Sequence, residues 1–377
     1  MKMYKKFNHT INLKSAKHWY GSISRTLLAL TFLFSGFVKA VDPLGTVYKI
    51  EDYLELGFGG LLQWAMPLAG TLAVLLITTE LLLGVTMLFN VRTRWTSWIT
   101  LAFYLVMTPV TLYIAIANPV TDCGCFGDAL VISNWTTFYK NIVLLTLAII
   151  LVVCRKDIPQ LFTWWMELCI ALFALGAAAG IMGYSYTHLP FMDFRPYKVG
   201  NNIYELMHDE IRPEYETYCT YEKDGEQQVF TYLERPENDS IWHFISQETV
   251  LIKEGKEPTI TDFILETIDG DDITEDILME NESITLIVMY DLNKRDQKQA
   301  SRAVELYKTR VANGEQCYFL TGSTDEEIDT FAQENEIEIE AFLRNDKTPI
   351  KTIIRANPGI VVLQNGVVLE KHNMRQL

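Results

Sequence analysis

The chain has 377 residues, 49% hydrophobic and 21% charged, with a formal net charge of −15. The charge is unevenly spread: residues 1–190 carry 13 basic and 9 acidic side chains, residues 191–377 carry 19 and 38, giving balances of +4 and −19. So acidic a chain lacks the basic face that phosphate requires, which excludes nucleic-acid binding, and six cysteines are too few to staple a chain of this length with disulfides.

Residues 1–25 form a basic N-terminus with Lys2, Lys5, Lys6, Lys14, Lys17 and Arg25. The apolar run Thr26–Val41 follows. It is long, no small-residue cleavage pattern ends it, and further apolar runs come after, so it reads as a first transmembrane helix rather than a signal peptide. Four more spans are expected near Gly60–Phe89, Trp95–Ala117, Thr137–Val153 and Leu161–Tyr184. Residues 26–184 are therefore expected to form a membrane α-helical bundle of about five helices. With five spans, the N-terminus, Arg92 and Arg94, and Arg155 and Lys156 fall on one side, which basic residues mark as cytoplasmic. The loop 42–58, the turn between spans three and four, and the acidic C-terminal half then lie on the other side. The expected location is the inner membrane, with a multi-pass bundle and an extracytoplasmic C-terminal domain.

That turn reads Thr121-Asp122-Cys123-Gly124-Cys125-Phe126-Gly127-Asp128. Two thiols at i and i+2 can close a small, strained disulfide ring, and a strained exposed disulfide exchanges readily. Three readings fit the pair: a redox relay, a structural bridge, or two thiolate ligands for a soft metal. The neighbouring carboxylates Asp122 and Asp128 would raise the thiol pKa values and slow attack. Glu80 lies well inside a span, where a carboxylate is costly and suggests proton transfer; Glu167 lies nearer a span end. Lys39, near the outer end of the first span, can pair with Asp42 or with an acid of the cysteine turn, and two readings fit it: a structural ion pair or a role at the redox site. No histidine spacing suggests a metal centre.

From about Phe191 the composition changes. Residues 185–257 read as a juxtamembrane connector and a small β-rich segment, with strand-like runs at Gln228–Leu233 and Ile241–Phe244. Residues 258–377 read as an α/β domain. Ile284–Tyr290 is a buried strand, Gln297–Val311 a helix, Cys317–Leu320 a strand and Thr324–Asn335 a helix. Ile360–Leu363 and Val367–Glu370 form a hairpin around Asn365-Gly366. Cys317 reads as a buried small hydrophobe and Cys219 as a lone thiol.

Two resemblances rest on these residues. Arg25 at the start of the first span, Ser35-Gly36-Phe37-Val38-Lys39 at its far end, Asp42-Pro43 beyond and the Cys123-Gly124-Cys125-Phe126-Gly127 turn together resemble the DoxX/MauE group of small membrane proteins, in particular its methylamine-utilisation branch, over about residues 20–155. The arrangement resembles such proteins of Bacteroidetes. The resemblance implies a redox-associated membrane protein that helps form disulfides in, or mature, an extracytoplasmic client or redox partner, with a quinone as candidate cofactor. Secondly, Pro258–Thr274 and Asn357–Gly366 resemble the first hairpin and the proline loop of a thioredoxin-like domain. No Cys-x-x-Cys follows the strand ending at Tyr290: the chain continues Asp291-Leu292-Asn293-Lys294-Arg295. The domain is thus expected to keep the fold without its own dithiol. The functional expectation is a thiol-disulfide oxidoreductase component acting through Cys123 and Cys125, and its rival is a non-catalytic envelope scaffold with a structural cysteine pair.

Overall fold

The structure is a computed structural model that describes residues 2–120, 123–236, 242–294 and 296–377. It divides into two compact units, Met1–Arg195 with His372–Leu377, and Pro196–Lys371.

The first unit contains α1 (Lys2–Val41), α2 (Pro43–Leu56), α3 (Ala69–Leu88), α4 (Thr93–Ala117), α5 (Asn134–Cys154) and α6 (Trp164–Thr187). Among the described residues, five segments are long and apolar enough to cross a membrane: Ala16–Val41, Gln63–Leu88, Thr93–Ala117, Asn134–Cys154 and Trp164–Thr187. Their outward side chains include Leu75, Val106, Ile116, Val143, Val153 and Phe173, all exposed. An outer face this apolar suits hydrocarbon rather than water, and helices satisfy their own backbone there. The unit is a multi-pass membrane bundle.

Two segments depart from the sequence reading. The first span reads from Thr26, whereas its helix α1 begins at Lys2 and the part apolar enough to cross a membrane at Ala16. Residues 42–58, which carry Asp42, Glu51, Asp52 and Glu55, read as a loop in the sequence. They are mostly the helix α2. Asp42 caps it, accepting the Gly45 amide at 2.9 Å, and Pro43 occupies its first turn, where the missing N–H costs nothing. Val47, Ile50 and Leu54 recur at helical spacing and pack with Leu62, Ala65, Met66 and Ala69.

The tightest crossing joins α1 to α3. A methyl group on Gly36 would lie 2.9 Å from the Leu81 amide nitrogen, and one on Gly84 would lie 2.9 Å from that of Leu33. Small residues let the two backbones approach, which is how helices gain dispersion contacts in lipid. The crossing brings Ser35, beside Gly36, next to Glu80, beside Leu81. Phe32, Leu83, Met87, Tyr104, Leu144 and Leu151 form the buried core around it.

The second unit holds α7 (Ile203–Met207), β1 (Glu214–Lys223), β2 (Glu226–Thr231), β3 (His243–Lys253), α8 (Thr274–Leu278), β4 (Ile284–Val288), α9 (Gln297–Ala312), β5 (Gln316–Thr321), α10 (Asp325–Asn335), β6 (Phe342–Arg344), α11 (Lys347–Ile353), β7 (Gly359–Gln364) and β8 (Val367–Asn373). The first three strands form an antiparallel sheet in the order β2-β1-β3. The expected strand at Ile241–Phe244 begins at His243, and Ile241 itself lies outside the described residues. β1 escaped the sequence reading, although Tyr215, Thr217, Cys219 and Tyr221 alternate as a strand requires.

The larger sheet has the order β6-β5-β4-β7-β8. β4 and β5 are parallel, as are β5 and β6, while β7 runs antiparallel to β4. α9 and α10 supply the crossovers, and the Asn357–Pro358 peptide before β7 is cis. This is the expected thioredoxin-like α/β arrangement. Every residue of β4 is buried, as its unbroken apolar run required. Phe319 stacks on Phe342 at 5.1 Å between ring centres, with Phe331 edge-on to both. Thr324 and Glu327 form a capping box at the start of α10.

The α1–α3 crossing yields a stability prediction. Gly84→Val should overpack the contact with Leu33 and cost about 1–3 kcal/mol, as such insertions generally do. Thermal unfolding in detergent should show a lowered midpoint, whereas Gly176→Val, at a position with open space beside it, should change it little.

Candidate functional site

The cysteine turn is held by hydroxyls from two helices. The Tyr53 hydroxyl of α2 donates to the Cys123 carbonyl at 2.5 Å, and the Ser35 hydroxyl of α1 lies 2.7 Å from the Cys125 carbonyl. The turn closes on itself where the Gly127 amide donates to the Gly124 carbonyl at 3.0 Å. Gly124 has φ +61°, and a methyl group there would lie 2.9 Å from the side chain of Lys49. Both features favour glycine between the thiols. Cys123 and Cys125 are free thiols with their Sγ atoms 2.9 Å apart.

Behind the turn lies a buried polar network. The Lys39 ammonium donates to Glu80 Oε1 at 2.8 Å, to Glu80 Oε2 at 2.9 Å and to Ser35 Oγ at 2.8 Å. Three acceptors match its three protons. Lys39 and Glu80 are 6% and 4% exposed, so each charge depends on the other. Ser35 Oγ is also 2.9 Å from Glu80 Oε2, and its single proton can go either to that carboxylate or to the Cys125 carbonyl. The expected pairing of Lys39 with Asp42 or a cysteine-turn acid is thus corrected. The α1–α3 crossing delivers Glu80 to it, while Asp42 caps α2.

The two thiols are electrostatically unlike. The hydrogen bond from Cys123 holds the Cys125 thiol down, to about 6; the charges of Lys140 and Lys39 add to this, against burial and Glu80. Cys123 is pushed up by its bond to Cys125, by burial and by the charge on Cys125. Cys125 is thus the sulfur that ionises and Cys123 the one that keeps its proton. Asp128 is exposed, and Asp122 lies outside the described residues.

Sequence reasoning missed Tyr53, Ser35 and Lys140. Lys140 sits 4.1 Å above the ring of Phe126, which meets Phe34 edge-on at 5.3 Å. The signal was available, since Lys140 is the one lysine inside its apolar run. Glu167 has a different role. It accepts from the Arg92 amide at 3.2 Å and pairs with the Arg92 side chain at 3.3 Å, tying the α3–α4 turn to α6. Cys219 and Cys317 are buried in strands, and burial pushes the Cys317 thiol up to about 12. Among the described residues, no three or more His, Cys, Asp or Glu side chains gather to hold a metal ion.

Set beside known proteins, residues 17–154 match the model of the family described as methylamine utilisation protein MauE. Residues 215–254, which cover the three-stranded sheet, match a domain of unknown function. No curated protein matches the chain. Among solved structures, one of BsSco, a member of the Sco family of cytochrome c oxidase assembly proteins studied for a disulfide switch, is similar at 12% identity and TM-score 0.26, covering 31% of this chain and 83% of that one. No property of that protein is carried over on a likeness of this size. The first unit is a MauE-like membrane bundle, with the cysteine turn inside the matched segment.

The asymmetry of the thiols predicts their reactivity. Alkylation by a small haloacetamide should be faster at Cys125 than at Cys123, and its rate should rise through pH about 6 as the thiolate forms. Peptide mass mapping of samples quenched between pH 4.5 and 8.5 measures both rates.

Proposed function

We propose that the protein is a redox-associated component of the inner membrane that exchanges disulfide equivalents with an extracytoplasmic client through Cys123 and Cys125. The observation that carries this reading is the asymmetric thiol pair, clamped through both its carbonyls and set against a buried ion pair. A purely structural bridge needs no such ionic surroundings.

In the exchange, the Cys125 thiolate attacks one sulfur of a client disulfide. The client S–S bond breaks, and the departing client thiolate takes a proton. Cys123 then loses its proton and attacks the Cys125 sulfur of the mixed disulfide, which releases the second client thiolate. A disulfide has moved into the turn, and the client holds two thiols. The reverse sequence donates a disulfide by the same steps. At the other end of the relay, a membrane quinone is the matching class of carrier, because it exchanges two electrons and two protons. The Glu80 carboxylate, within reach of Ser35 and Lys39, is the group suited to relay protons on the membrane side.

The orientation supports an extracytoplasmic client. Lys and Arg gather at the N-terminus and at the α3–α4 and α5–α6 turns, which mark the cytoplasmic side. The cysteine turn and the C-terminal unit then face outward. That unit keeps the thioredoxin-like fold, but Asp291, Leu292 and Asn293 stand where a dithiol would be sought, and Asp291 is held by Lys347 at 3.3 Å. Its role in this reading is client recognition.

A trapping experiment tests the proposal. Cys123→Ser removes the resolving thiol, so Cys125 should retain clients as mixed disulfides that run as reductant-sensitive adducts on non-reducing gels. Cys125→Ser should give at least about tenfold less adduct, since the remaining thiol is largely protonated near neutral pH. Equal absence of adducts from both variants would contradict the relay.

A further inference from the structure

The ion pair and the thiol turn meet at one side chain. The Ser35 hydroxyl lies within 2.9 Å of the Cys125 carbonyl, the Glu80 carboxylate and the Lys39 ammonium. A pair that only fastened α1 to α3 could sit at any level of their crossing. This one sits where the turn docks, in surroundings from which water is largely excluded and where charges act strongly on one another.

We infer that Lys39 and Glu80 are positioning residues that set, with opposite signs, the dithiol–disulfide equilibrium of Cys123 and Cys125. The inference rests on the relay reading above. The charged and titratable groups around Cys125 come from every neighbouring element: Lys39 from α1, Tyr53 and Lys49 from α2, Glu80 from α3, Tyr104 from α4, Lys140 from α5, and Cys123 and the exposed Asp128 from the turn itself. In the reduced pair, the Cys125 thiolate and Glu80 balance Lys39 and Lys140. Oxidation removes the thiolate charge: Cys123 loses its proton, each sulfur gives up one electron, and the S–S bond forms. Both electrons pass to the acceptor disulfide, whose bond breaks and which takes up two protons, one matching that lost by Cys123 and one from solvent. The surroundings are left one unit more positive. A change that adds positive charge therefore favours the dithiol, and one that removes it favours the disulfide.

Signs make the test decisive. The full chain in lipid vesicles is equilibrated at pH 7 with mixtures of oxidised and reduced dithiothreitol, and the bridged fraction is read by mass-tag alkylation. Glu80→Gln should move the equilibrium constant toward the dithiol by about tenfold, and Lys140→Met should move it toward the disulfide by a similar factor, each equal to about one unit in the Cys125 pKa. The double variant Lys39→Met with Glu80→Gln leaves no buried charge unpaired and should return to within about threefold of the wild type. If Glu80→Gln does not fold, Lys39→Gln decides the matter with the opposite sign. A wild type that cycles, while the Glu80 and Lys39 variants leave the equilibrium unmoved or shift it in one common direction, overturns the inference and leaves the relay standing. A wild type whose thiols do not respond to the mixtures overturns the relay itself.

Discussion

The buried contact between Lys39 and Glu80 is the constraint on which the membrane unit depends. A charged side chain inside a bilayer costs about 2.5–3.5 kcal/mol even by the milder scales. Removing one member of a buried pair typically costs about 3–5 kcal/mol, because it strands the other. The pair therefore persists only where the helices can bring the charges together at hydrogen-bonding distance. Gly36 and Gly84 provide that approach by removing the side chains that would hold α1 and α3 apart. Ser35 then transmits the pair's position to the Cys125 carbonyl. Backbone packing, ionic contact and thiol geometry are links of one chain of cause.

The same arrangement gives the two cysteines separate chemistry. They differ by two positions in a short turn, yet their mutual hydrogen bond and the charges around them hold the Cys125 thiol down, with Lys39 acting on it alongside Lys140, and push that of Cys123 up. A thiol pair needs this inequality to work in sequence, with one sulfur attacking or leaving and the other resolving. The C-terminal unit shows the contrary case, a thioredoxin-like sheet whose two cysteines are buried in strands. The proposed relay therefore places redox chemistry in the membrane unit and recognition in the other.

The sequence was most legible where a single physical term dominates. Hydrophobic length located four of the spans within a few residues and the end of the first, whose start lies ten residues earlier because Trp19 and Tyr20 and the polar residues around them continue the helix, and the unbroken apolar run at Ile284–Tyr290 marked the buried strand Ile284–Val288. The Asn365-Gly366 turn fixed the final hairpin. It was least legible where two signals compete. In α2, acidic residues masked a helical spacing already announced by the Asp42-Pro43 cap. Lys39 was visible as an intramembrane cation, but local proximity pointed to Asp42, and only the three-dimensional crossing of α1 and α3 revealed Glu80 as its partner. Ser35 and Tyr53 carry no distinctive signal, since a hydroxyl gains its role from the carbonyl it meets. The short elements β6 and α11 are too brief for any period to show.

The account stands or falls on whether the turn changes its bonding state within the membrane. The most direct measurement uses a variant that retains Cys123 and Cys125 as its sole cysteines, expressed in intact membranes and quenched with a mass-tagged alkylating agent after graded exposure to mild reductant and mild oxidant. The account predicts a reversible passage between two tagged thiols and none, with a midpoint in the range of thiol–disulfide carriers. A pair that stays bridged under all but harsh reduction would contradict it and identify the turn as a structural clasp.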